Sequence, residues 1–346
     1  MTIKITLNKS IPHIKRCITK RLVPMIHGSP AIGKSDIIRA IAAEARLFVI
    51  DVRLSMYDPA DMNGLPFTVD KNGVRKSQYL PFDTFPLAND KPPEGYVGWL
   101  LFLDELPSAP PSVQAAAFKL ILDRMVGQEK LHSMCFLAAA GNTEDDGAIV
   151  NPIPTPLQSR MIHFHVIPHF KSWMKWALAH NVDYRIASFL NFKPEWFYKF
   201  NPNHDDFTFA SPRTWMFVSK LIEGAPVTED DKALIAGCVS EAAGREFVAF
   251  TAIFDKTPKI ADITSNPKGA LMPRDNPSIL FALAGSLSNH ATAANLPAIV
   301  QYIERMPMEF QVLSFRQIMG RKKELQNEAC MNEWIDKYSD ELWDDE

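Results

Sequence analysis

Eight residues constrain this chain more than any others: Gly28-Ser29-Pro30-Ala31-Ile32-Gly33-Lys34-Ser35. They match G-x-x-x-x-G-K-[ST] at every fixed position, the pattern of a phosphate-binding loop. The chemistry requires that spacing. Glycines let the backbone wrap closely around an anion, and successive N–H groups turn inward as a nest. The following helix directs its N-terminal dipole at the same point. Lys34 is expected to reach the β- and γ-phosphates and the Ser35 hydroxyl to ligate magnesium. The flanks agree, with a short apolar strand at Val23–His27 and apolar residues at helical spacing from Asp36 to Arg46.

A strand, loop, helix and second strand (Arg46–Val52, with the apolar run Leu47–Ile50) make a βαβ unit. A second anchor lies well downstream. Gly98-Trp99-Leu100-Leu101-Phe102-Leu103 is a buried-strand pattern that ends in Asp104-Glu105. Carboxyl ends of strands face the ligand in nucleotide-binding sheets. Asp104 is therefore expected beside the metal and Glu105 as the group that polarises the attacking water. Met134–Asn142 reads as a further buried strand, and its terminal amide, Asn142, is placed to hold that water. A fifth strand, Met161–Val166, follows Arg160 and alternates His163 and His165 on one face, which reads as sheet-face packing. Asn72-Gly73 predicts a surface hairpin, and Val126–Lys130 a smaller one.

From Pro168 onward the strand signals fade and helices are expected at 171–180, 182–190, 212–223, 230–255, 278–287, 296–306 and 311–338. Ser211-Pro212-Arg213 opens one of them, with Arg213 projecting from its first turn. At the other end, Ser10-Ile11-Pro12 predicts a helix start, and residues 1–22 carry six basic side chains and no acid.

Composition narrows the function classes. The chain has 346 residues, 47% of them apolar and 22% charged, enough for several packed domains. A formal charge of −3 gives no global attraction to nucleic acid, and only the N-terminal helix is clearly basic, which argues against a nucleic-acid function. No apolar run reaches the ~20 residues of a membrane span, and the N-terminus lacks the apolar region of a signal peptide. Four scattered cysteines form no C-x-x-C pair and read as free thiols in a reducing compartment, the cytoplasm. The acidic end, Asp340–Glu346, reads as a solvated tail.

In order, these features resemble the AAA+ ATPases, and within them the MoxR-like group. The stretches Ala109-Pro110-Pro111-Ser112-Val113-Gln114-Ala115 and Asp58-Pro59-Ala60-Asp61-Met62-Asn63-Gly64 are similar to segments of that group. The resemblance covers about residues 20–225. It implies a five-stranded parallel P-loop sheet of the ASCE/AAA+ type flanked by helices, then an all-α lid and a helical C-terminal extension. The corresponding divisions are a basic helix at 1–22, the α/β core at 23–167, the lid at 168–258 and the extension at 259–346. By the resemblance Lys34 and Ser35 belong to Walker A, Asp104 and Glu105 to Walker B, Asn142 to sensor 1 and Arg213 to sensor 2. Arg160 takes the place of the arginine finger, in the setting Ser159-Arg160-Met161 where the group has Asp-Arg-Phe. The implied activity is Mg2+-dependent ATP hydrolysis by a homo-oligomer, usually a hexameric ring. The ring would remodel a client protein with a partner bearing a von Willebrand factor A domain. A nucleic-acid motor or loader is the alternative use of the same engine.

Overall fold

A computed structural model of the chain describes residues 3–147, 149–203, 206–273 and 276–338. It divides into two compact units, one of residues up to Pro168 together with Asn201–Asn203, the other from His169 onward. The acidic end lies outside the described residues.

In chain order the first unit contains β1 (Lys4–Thr6), α1 (Leu7–Thr19), β2 (Val23–His27), α2 (Lys34–Glu44), β3 (Leu47–Arg53), α3 (Pro59–Asn63), β4 (Leu65–Lys71) and β5 (Val74–Leu80). After these come β6 (Gly98–Asp104), α4 (Pro111–Asp123), β7 (Met125–Val126), β8 (Glu129–Lys130), β9 (Cys135–Gly141), α5 (Thr155–Gln158) and β10 (Met161–Ile167). Among the described residues, six strands form one parallel sheet in the order β1-β10-β2-β9-β6-β3. The sequence reading of five strands therefore falls one short. The missed strand, β1, has only three residues, too few for a period to show, and it forms by pairing with β10 at the sheet edge. The same strand moves the first helix. Thr6 caps α1 by accepting from Lys9 N, so the helix begins at Leu7 and Pro12 lies inside it instead of in its first turn.

Buried parallel strands need apolar side chains on both faces, and β6 supplies them. Leu100 to Leu103 are all fully buried, each contributing about 2 kcal/mol of burial. Two antiparallel hairpins, β4–β5 and β7–β8, stand apart from the main sheet. Asn72 and Gly73 both take positive φ (57° and 76°), as a type I′ turn demands.

The second unit is helical: α6 (Phe170–Ala179), α7 (Tyr184–Phe192), α8 (Pro212–Leu221), α9 (Lys232–Val239), α10 (Glu241–Thr251), α11 (Ile260–Ser265), α12 (Pro277–His290), α13 (Leu296–Ile303), α14 (Met308–Arg321) and α15 (Ala329–Lys337). One core gathers Phe189, Trp215 and Phe247, and a second gathers Tyr302, Phe315 and Trp334. The helix expected over 230–255 is broken at Ser240, whose φ of 91° reverses the chain. Gly244 lets α10 fold back on α9, because a Cβ there would lie 2.8 Å from Ala236. The helix expected over 311–338 likewise ends at Arg321. Leu325 turns into the core and the Gln326 side chain caps Met319 O. Apolar periodicity continues across both breaks, which is why they are invisible in the sequence.

Candidate nucleotide site

The phosphate loop leaves the carboxyl end of β2, which lies between β10 and β9. The chain then runs through α2 to β3, on the far side of β9 and β6. Strands that come later in sequence thus fill the space between, and the crevice at such a switch point is where open α/β sheets take ligands. Gly33 takes a φ of 98°, open to glycine and costly for other residues, and hands the chain directly to Lys34, the first residue of α2. The first turn of a helix offers N–H donors without intrahelical acceptors, so the loop leads into an end that favours an anion.

Lys34 is 9% exposed, and its ammonium donates to Gly28 O at 2.5 Å, Ser29 O at 2.9 Å and Asn142 Oδ1 at 2.9 Å. The ammonium thus lies inside the loop and is tied to the end of β9. Ser35 Oγ donates to Asp104 Oδ2 at 3.0 Å, joining the start of α2 to the end of β6. Asp104 also accepts from Glu105 N at 2.9 Å. Burial pushes its carboxyl above the usual range, opposed by those two hydrogen bonds and reinforced by the nearby Asp51 and Glu105 charges. Close packing at β9 depends on Gly141, where a Cβ would lie 2.1 Å from the Pro107 ring. That contact brings Asn142 alongside the segment after β6.

Glu105 has a left-handed backbone (φ 57°, ψ 32°), a conformation that costs a non-glycine residue on the order of 1 kcal/mol. Its carboxylate accepts a short hydrogen bond from Ser55 Oγ. Ser55 was not singled out from the sequence. It follows β3, whose last residue, Arg53, is paired in register with Asp104, so the neighbouring strand ends place the two side chains together. The available signal was a hydroxyl just beyond a strand that turns out to neighbour the acidic one. Strand order was needed to read it.

Lys34, Ser35, Asp104 and Asn142 thus meet through hydrogen bonds, with Glu105 held beside them by Ser55. Arg160 follows α5, is exposed, donates to Pro156 O at 2.7 Å and Ser159 Oγ at 3.2 Å, and stacks over Phe118. Arg213 belongs to the second unit. It is exposed in the first turn of α8, which is capped reciprocally by Ser211 and Thr214. Among the described residues no group of three or more His, Cys, Asp or Glu side chains could hold a metal. The oxygens of Ser35 and Asp104 suit a hard divalent cation that keeps water and phosphate as its other ligands. No described helix is long and apolar enough to cross a membrane.

His27, the residue before the loop, faces His163 and His165. Burial, these two rings and the Lys34 ammonium push its imidazole down to about 4 from 6.5. The unfolded chain therefore takes up this proton first as pH falls. The resulting penalty is absent above about 6.5 and grows until pH reaches about 4. Asp104, raised in the folded state, acts in the opposite sense, so the diagnostic quantity is a difference between variants. Between pH 6.5 and 4, urea unfolding of the wild type should lose up to about 1.4 kcal/mol per pH unit more than that of His27→Phe. Parallel pH profiles for the two proteins would contradict the assignment.

No family model matches this chain, and no curated protein does. Solved structures are similar over most of its length. NtrX from Brucella abortus in complex with ATP is 12% identical, with 98% of this chain and 69% of that chain covered at a TM-score of 0.40. A RuvB mutant from Thermotoga maritima is 14% identical, with 85% of each chain covered at a TM-score of 0.38. Likenesses of that size leave the function to be read from the site itself.

Proposed function

We propose that this chain binds ATP with Mg2+ at residues 28–35 and hydrolyses it, as a MoxR-like AAA+ ATPase that assembles with copies of itself. The observation that carries the reading is the junction of Lys34, Ser35, Asp104 and Asn142 at the ends of three adjacent strands. An ammonium held in a backbone loop suits phosphate, and a hydroxyl against a carboxylate suits the cation that accompanies it. Ser35 and Asp104 would hold the Mg2+, which supplies charge neutralisation at the phosphates when bound. Glu105 would orient and deprotonate the attacking water, and Asn142 would hold that water in line. Arg213 is assigned to sensor 2 on the sequence resemblance alone.

We assign Arg160 to the ATP of a neighbouring subunit, as a finger that stabilises charge on the transferring phosphate. Its exposure and its purely local hydrogen bonds suit a group that awaits a partner. A hexameric ring that remodels a client protein alongside a von Willebrand factor A domain partner is the use proposed for that engine.

Steady-state hydrolysis tests the assignment. Arg160→Ala should bind nucleotide normally yet turn over at least about a thousandfold more slowly. Mixed with Glu105→Gln subunits that retain Arg160, it should regain activity, because each protein supplies what the other lacks. No recovery at any mixing ratio would refute a finger acting between subunits.

A further inference from the structure

Three imidazoles stack between the carboxyl end of β2 and the middle of β10. Register pairs His27 with His165 and Met25 with His163, so all three histidines share one sheet face. The His27 ring lies 5.1 Å from that of His163 and 4.7 Å from that of His165, nearly parallel to both. His27 Nε2 is 2.8 Å from His163 Nδ1, and His163 Nε2 is 2.8 Å from Gln158 O.

The carbonyl at the end of this chain fixes its direction. Gln158 O can only accept, so His163 Nε2 carries the hydrogen. In the neutral ring Nδ1 is then an acceptor, and His27 Nε2 must donate to it. The outcome is one directed path, from His27 through His163 to the Gln158 carbonyl. Its first end is bonded covalently to Gly28, whose carbonyl receives the Lys34 ammonium. Its other end is the last residue of α5, two positions before Arg160. That turn is short, and Arg160 N reaches back to Leu157 O at 3.2 Å. A shift of the Gln158 carbonyl therefore moves the base on which the guanidinium rests.

We propose that His163 is a positioning residue that ties the strand feeding the phosphate loop to the turn carrying Arg160, so that the two are set together. Each subunit would thereby adjust the arginine it offers its neighbour to the state of its own loop. The inference rests on the reading of Arg160 given above. Phe at position 163 keeps the stack and removes both hydrogen bonds. Gln restores one donor and one acceptor.

The test compares full-length wild type, Arg160→Ala, His163→Phe, His163→Gln and the Arg160→Ala/His163→Phe double variant, reading ATP affinity and steady-state hydrolysis for each. His163→Phe should bind ATP within about twofold of wild type and hydrolyse it about tenfold more slowly. The double variant should be no slower than Arg160→Ala alone, since a lost guanidinium has no position to lose. His163→Gln should recover most of the rate. Wild-type turnover in His163→Phe, multiplied losses in the double variant, or a Gln variant no better than Phe would each overturn the tie while leaving the assignment of Arg160 standing. Arg160→Ala turning over at the wild-type rate would overturn that assignment and the tie with it. His163→Ala breaks the same two bonds if the larger ring prevents folding, with circular dichroism as the check.

Discussion

Lys34→Ala should weaken nucleotide binding on the order of 100- to 1000-fold, about 3–4 kcal/mol, while the chain still folds. The size follows from the setting. The ammonium is buried and donates to two loop carbonyls and the Asn142 amide. A phosphate entering the loop gains a charged donor already stripped of water, and the backbone nest is held in shape by the same group. Removing the side chain takes away both the charge and the tie to β9. Isothermal titration with Mg-ATP reads the loss, and thermal unfolding checks that the fold persists. Wild-type affinity in the variant would refute the assignment of the loop.

Glu105→Gln should leave ATP binding intact and slow hydrolysis about 100- to 10,000-fold, the range expected for loss of a general base. The amide keeps the shape of the carboxylate and can still accept from Ser55. Glu105 lies in the turn after β6 with a left-handed backbone, and glutamine can occupy that position with a side chain of the same shape. What changes is the ability to take a proton. Bound ATP should then persist through gel filtration, and the oligomer should be stabilised. Unchanged turnover would mean that another group acts as the base. The same trapped protein also separates the two uses of the engine. A co-isolated von Willebrand factor A domain protein would favour client remodelling, and nuclease-sensitive association would favour a nucleic-acid motor.

Much of the sheet was legible because buried parallel strands are continuous apolar runs, the form of β6 and β9, and because β2, β3 and β10 keep enough apolar residues between Pro24, Asp51 and the two histidines to read as short strands. The strand β1 was not legible, since three residues carry no pattern and their conformation comes from the neighbour they pair with. Helix breaks at Ser240 and after Arg321 escaped for a related reason. Apolar spacing reports which side chains are buried, and it persists when the chain turns back on the same core. Of the residues around the loop, Lys34, Ser35, Asp104, Glu105 and Asn142 each lie at a strand end or in a motif. Ser55 lies in neither, and the contact of His27 with His163 follows only from the pairing of β2 with β10.

The sequence by itself determined the local chemistry: a glycine-spaced loop that closes on an anion, a lysine and hydroxyl at its exit, and apolar strands that end in an acid pair and an amide. These depend on residue type and short-range spacing, which the chain carries wherever it folds. Only the tertiary structure decided which strand ends are neighbours. Placing β9 between β2 and β6 brings Asn142 to Lys34, and α2 reaches across to set Ser35 on Asp104. Pairing β3 with β6 gives Glu105 its Ser55, and pairing β2 with β10 stacks the histidines between the loop and the Arg160 turn. Strand order is a long-range property, set by which buried faces pack best together, and no local stretch of residues encodes it.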